Sequence, residues 1–242
     1  MRQSRIYTPQ PLQSIDSVEL TGSASHYLAR VLRLSKGDSV TLFNGDGRDY
    51  SADICEIQRQ RVLVRLIGSK TPGNESPLRI TLVQAICRGE RMDYSLQKAT
   101  ELGVFCIQPV TSRRVEVRLD GTRQAKRLAH WQGVVISACE QSGRALVPEV
   151  RTPLPLNEWL AATDGSQRLV LDPVAKKKLS RISVVSDSIS ILVGPEGGFA
   201  DEEMEEMRAK GVISVALGPR VMRTETAGPA SIAVLQARMG DL

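Results

Sequence analysis

The chain has 242 residues, 41% of them hydrophobic and 24% charged, enough for one large domain or a small one joined to a medium one. Thirty-two basic against 27 acidic residues leave a net charge of +5, a balance that suits a polyanionic partner. No apolar run nears the roughly 20 residues of a membrane span, and four scattered cysteines with two histidines exclude a zinc pattern.

The segment Met1–Arg5 lacks the apolar stretch of a secretion leader, so a cytoplasmic protein is expected. His26–Leu34 reads as a helix with Tyr27, Val31 and Leu34 on one face and Arg30 and Arg33 on others. Ser39–Phe43 and Asp49–Ile57 alternate around Asn44-Gly45-Asp46-Gly47-Arg48, which predicts a hairpin. Gln58–Arg61 forms a second turn and Val62–Ile67 a third strand. The front of the chain, 1–70, is therefore expected to be a small β-barrel carrying one helix. Gly68–Pro77, rich in turn formers, supplies a linker over 71–77.

From 78 to 242 strands and helices alternate, as in an α/β domain with a largely parallel sheet. Arg79–Ile86 is an apolar strand, and Met92–Leu102 a helix stopped by Gly103. Val104–Val110 is the next strand. Thr122–Cys139 is a long helix with Leu128, Trp131, Val135 and Ala138 on its core stripe. Leu169–Leu171, Ile189–Val193 and Val212–Leu217 complete the strands. Asp201–Lys210 and Ala227–Met239 are the last two helices, Asp201 serving as cap of the first.

Two strand-to-helix turns near the C-terminus carry more polar groups than connectors require. One is Gly194-Pro195-Glu196-Gly197-Gly198; the other is Leu217–Ala227, with Arg220, Arg223, Glu225 and two threonines. Neither is a phosphate-binding loop, since Phe199-Ala200 stands where Lys-Ser or Lys-Thr is needed. Gly45–Gly47, the single Gly-x-Gly, lies between antiparallel strands and is no dinucleotide turn. Glycine lets a backbone approach a ligand closely, and paired turns at the edge of a parallel sheet point to one shared pocket. The competing reading has the threonines capping the last helix and the arginines pairing with Glu196 or Glu225.

These two turns resemble the signature of the SPOUT-class, trefoil-knotted methyltransferases. Within that class the chain is similar to the type that methylates N3 of a uridine in small-subunit (16S) ribosomal RNA. The likeness extends to Arg5-Ile6-Tyr7, His26–Asp38, Arg88–Asp93, Gln97–Gly103 and Ala138–Arg144. The resemblance implies a knotted C-terminal domain, a PUA-like front barrel for RNA, a homodimer, and S-adenosylmethionine as cofactor with no metal. It implies a cofactor site built from Leu171, Leu192, Gly194, Pro195, Glu196, Gly197 and Gly198 of the first turn's surroundings. Leu217, Gly218, Arg220, Met222, Arg223, Thr224 and Ala227 would supply the other side. For catalysis, Arg223 is expected to stabilise charge growing on the uracil carbonyls, and Glu225 or Glu196 to take the N3 proton. Arg5, Arg30 and Arg33 in front, and Arg88, Arg91, Arg113, Arg114 and Arg144 behind, are the candidates for holding RNA phosphates. A different RNA target, or a silent assembly factor that keeps the fold, stays open on the sequence alone.

Overall fold

The computed structural model describes residues 4–115 and 121–242. Met1–Gln3, part of the segment read for a leader, lie outside the described residues. Contacts divide the chain into two units: residues 1–74 with 139–147, and residues 75–138 with 148–242.

The first unit holds β1 (Arg5–Tyr7), β2 (Ser17–Thr21), α1 (Gly22–His26), β3 (Ser39–Phe43), β4 (Asp49–Ile57) and β5 (Arg61–Lys70). Its sheet runs β1-β3-β4-β5-β2, antiparallel except for β1 with β3. Alternate residues of each strand turn inward, so Val18, Leu20, Val40, Leu42, Ile54, Val62 and Val64 meet in one core. The predicted hairpin stands as read. Strand β5 runs past the expected Ile67 end, because Gly68 pairs with Ser51 and Lys70 with Asp49. The predicted helical face needs correcting. The helix starts at Gly22, and from Tyr27 to Val31 it widens into a π turn in which the Leu32 N–H reaches the Tyr27 carbonyl at 2.9 Å. That wider turn rotates the face. Leu28 is fully buried, while Tyr27 and Val31 are 42% and 57% exposed.

The second unit begins with β6 (Arg79–Ala85), α2 (Glu90–Glu101), β7 (Cys106–Thr111) and α3 (Gly121–Ser142), whose last turn counts with the first unit. Then come β8 (Glu149–Val150), β9 (Leu154–Pro155), α4 (Leu156–Ala161), β10 (Gln167–Leu171) and β11 (Ser188–Val193). Helix α5 (Asp201–Ala209), β12 (Ile213–Val215) and α6 (Thr224–Met239) complete it. The sheet order is β12-β10-β11-β6-β7-β8, with β9 also on β7, and every pairing is parallel. Strand β6 is buried at six consecutive positions, as a strand covered on both faces must be. Trp131, Val135 and Ala138 of α3 are buried as expected, whereas Leu128 is half-buried.

Strand order places the function-bearing turns. Strand β10 lies between β11 and β12, so the turns leaving β11 and β12 flank the end of β10 at Leu171. Helix α6 then packs on α2, β6, β11 and a short 3-10 turn at Leu179–Arg181. Its Arg238 donates to the carbonyls of Leu179 and Ile182, both at 3.1 Å. Its buried Gln236 donates to the carbonyls of Leu102 and Gly103 at 3.2 Å.

Candidate functional site

The polypeptide of the first turn doubles back on itself, the Gly198 N–H reaching the Pro195 carbonyl at 2.9 Å. This needs a left-handed backbone at Gly198, whose φ is +67°. The following helix is capped by Glu203, not Asp201. The buried Glu203 carboxylate accepts the N–H of Ala200 and that of Arg113, both at 2.8 Å, and Asp201 is the first helical residue. In the second turn no threonine caps α6; the cap position is Arg223, with no side-chain cap bond.

Thr224 does something else. Its buried hydroxyl donates to the Gly194 carbonyl at 2.7 Å and accepts from Gln84 Nε2 at 3.1 Å. Gln84, wholly buried in β6, accepts in turn from the Ser95 hydroxyl of α2 at 3.1 Å. A chain of buried polar bonds thus ties both turns to the centre of the sheet. Gly228 keeps α6 close enough for this: a Cβ there would lie 3.2 Å from Leu82 and 3.4 Å from the Gln84 oxygen.

Between the turns opens a cleft of about 670 Å³. Leu171, Gly194, Pro195, Glu196, Gly198, Leu217, Gly218, Arg220, Met222, Arg223, Thr224 and Ala227 all line it, as does Glu225. Two expected residues do not. Leu192 is fully buried in the core beside Val83 and Val170, and its neighbour Val193 faces the cleft instead. Gly197 faces away, towards the Arg114 side chain 3.5 Å from where its Cβ would be. The cleft also has walls that the sequence reading missed, among them Asp172, Pro173, Phe199 and Met204. The Asp172-Pro173 pair directly after β10 is a turn signal that marks such a sheet-edge loop. Gln84 had a signal too, as the one large polar side chain in the interior of an apolar strand.

The arginines are distributed differently from the pairing first considered. Arg220 and Arg223 are exposed and make no ion pair among the described residues. Arg91 instead pairs with Glu196 at 2.8 Å and comes within 4.0 Å of Glu225. Burial pushes the Glu196 carboxyl up, but hydrogen bonds from its own and the Arg88 N–H, together with Arg91, outweigh it. The net result is a carboxyl below its ordinary range. Such a group takes up a proton less readily than an ordinary carboxylate.

A second, smaller cleft of about 430 Å³ adjoins the first and shares Arg91 and Glu196 with it. Arg88, Arg113, Arg114 and Gly197 form the rest of its polar lining. Arg30 and Arg33 are not buried in the first unit, Arg33 having φ +53°. Arg144 is buried, and Arg5 is half-buried. The Arg5 guanidinium pairs with Asp49, donates to the Arg144 carbonyl at 3.0 Å and lies 4.8 Å above the Phe43 ring. Glu140 is likewise structural, accepting the Tyr7 N–H at 3.0 Å. Burial pushes its carboxyl up against the opposing pull of Tyr7 and Arg5. No group of three or more potential metal ligands occurs among the described residues.

The chain is similar to known proteins along nearly its whole length. A family model described as an RNA methyltransferase domain matches residues 74–236, and one described as an RNA methyltransferase PUA domain matches residues 20–67. Ribosomal RNA small subunit methyltransferase E of Buchnera aphidicola is 35% identical over 98% of this chain and 97% of its own. The protein of that name from Bacillus subtilis is 27% identical over 91% and 90%. Among solved structures, ribosomal RNA small subunit methyltransferase E from Neisseria gonorrhoeae, bound to S-adenosyl methionine, superposes with a TM-score of 0.94. It is 42% identical over 99% of both chains. A Legionella pneumophila chain with bound cofactor SAM gives a TM-score of 0.96 at 40% identity over 100% of both.

Proposed function

The chain belongs to the ribosomal RNA small subunit methyltransferase E family, and we propose that it methylates N3 of a uridine in 16S ribosomal RNA using S-adenosylmethionine. The observation that carries this reading is the single cleft between the two glycine-bearing turns, with Arg223 and Glu225 on its wall. Its size of about 670 Å³ lies in the range of cofactor pockets. The donor set also suits the cofactor. Irregular backbone at Leu217–Met222 offers amide and carbonyl groups to an adenine edge, Phe199 and Met204 offer apolar wall, and the carboxylates favour a cation.

Bound there, the cofactor supplies a sulfonium methyl group for direct transfer. The protein handles the proton and the charge. Uracil N3 carries a weakly acidic N–H, so losing it places negative charge on the flanking carbonyls. Arg223, always ionised and paired with no carboxylate among the described residues, donates hydrogen bonds where that charge appears. Glu225, with a side chain 18% exposed, accepts the proton. Because N3 lies on the pairing edge, the base must be unpaired or extruded. Arg30 and Arg33 in the PUA-like part, 1–70, and Arg88, Arg91, Arg113 and Arg114 in the SPOUT part, 78–242, hold the RNA; 71–77 joins the two.

Threading of the C-terminal segment through a trefoil knot is part of the reading. It is supported by α6 packing against both the sheet and the 3-10 turn at Leu179–Arg181. A homodimer in the cytoplasm, acting on the assembled small subunit, follows from the family resemblance. Among the described residues no helix is long and apolar enough to cross a membrane.

Methylation of small subunits from a strain lacking this protein, followed by mass spectrometry of the rRNA, tests the activity. The expected product is a single N3-methyluridine; a methyl group on a ribose or another base would refute the assignment. In the same assay Arg223→Ala is expected to lower kcat by about 10²–10³-fold. Cofactor Kd should stay within about twofold, since the role assigned is in the transition state.

A further inference from the structure

The smaller cleft is rich in arginine, and the guanidinium of one of them, Arg113, is paired with Glu202 at 3.2 Å. Arg88, Arg91, Arg113 and Arg114 line it with Val115 and Gly197, and among the described residues Glu196 is its carboxylate. One oxygen of that carboxylate accepts both the Arg91 guanidinium at 2.8 Å and the Arg88 backbone N–H at 3.2 Å. A guanidinium and a backbone N–H converging on one oxygen is the donor set that receives a phosphate. The cleft shares a wall with the cofactor pocket, so an anion seated there lies beside the reacting base. Arg114 is braced for this position by its bond to the Gly197 carbonyl at 2.8 Å.

We propose that this cleft seats an RNA backbone phosphate adjoining the target nucleotide, and that Glu196 occupies the seat in the free protein. This deepens, and rests on, the methyltransferase reading. Arrival of the phosphate displaces the carboxylate from Arg91, so Glu196 acts as an internal competitor and not as a base. The opposed charges explain why a cleft that serves a polyanion carries an acid. Without RNA, the carboxylate is held by the Arg91 guanidinium and the Arg88 N–H.

Two variants test it on the full-length protein with cofactor present, using small ribosomal subunits from a strain lacking this protein as the RNA probe. Glu196→Gln removes the competing charge and should tighten RNA binding by roughly threefold to tenfold at low salt, the advantage fading as salt screens it. Arg113→Gln with Arg114→Gln should raise the KM for RNA at least about tenfold. It should also flatten the slope of log K against log salt by about 0.7 for each phosphate that the variant no longer neutralises. Cofactor Kd, measured by calorimetry, should not move in the arginine variant. Unchanged or weaker RNA binding by Glu196→Gln would overturn the competitor role. An unaltered salt slope in the double variant would overturn the phosphate seat. Failure of the wild-type protein to methylate the RNA at all would instead count against the methyltransferase reading.

Discussion

Arg5 shows how one residue can mislead when only its type is known. A basic residue near the start of a basic chain fits an RNA contact, yet its side chain is 9% exposed and faces an Asp49 carboxylate that is 8% exposed. Both charges left water, which is tolerable only while each has the other. Arg5→Ala therefore leaves a buried carboxylate alone, and is expected to cost about 3–5 kcal/mol of stability. Denaturant unfolding checks this; an effect confined to RNA affinity would restore the RNA-binding role. The wall of the larger cleft is more legible. Gly194, Gly198, Arg223 and Glu225 lie in the turns that the sequence singles out by their glycine and polar density. Leu192 is expected to act through its backbone, and its side chain lies in the core; Gly197 sits in the turn with its Cβ direction towards Arg114, a placement that residue type alone does not set.

The β6–α2–α6 connection is invisible from any one element. Gln84, Ser95 and Thr224 come from three segments spanning 140 residues of chain, and Ser95 and Thr224 alone read as ordinary polar residues. Only the parallel order that sets β6 beside β11 brings them together. Buried hydroxyl and amide groups are retained where all their partners are present. Gln84→Leu strands the Ser95 hydroxyl and unfastens Thr224, an expected cost of about 1–3 kcal/mol. The more telling measurement is a cycle with Thr224→Val, read both as stability and as cofactor Kd. A coupling of about 0.5–3 kcal/mol is expected if the bonds act as a unit. Strictly additive effects would show that the Gly194 turn is held by something else. The helix at His26–Leu34 is misread for a different reason: its predicted face presumes a regular period of about 3.6, and the π turn after Tyr27 breaks it.

For the whole molecule, the division into units does not follow the order of the chain. Residues 139–147 count with the front part, where Tyr7 bonds Glu140, Arg5 bonds the Arg144 carbonyl, Gly47 bonds Ala145 and Asn74 bonds Gly143. A cut after residue 74 removes all four, about 2–6 kcal/mol at ordinary net values. Small domains have only about 5–15 kcal/mol in hand. A fragment of residues 1–74 is thus expected to melt well below the intact front part, or to show no cooperative transition by circular dichroism. A fragment as stable as the full chain's first transition would disprove that dependence. No composition or periodicity announces this return of the chain, because helix α3 is continuous across the division. The Arg91–Glu196 pair has a wider consequence, since it is the party wall of two compartments. Whichever tenant disturbs it on arrival must alter the other's tenancy by an equal factor, whichever enters first. The two occupants are thereby thermodynamic correspondents, and a measurement made with either one alone describes a state that the working catalyst leaves behind.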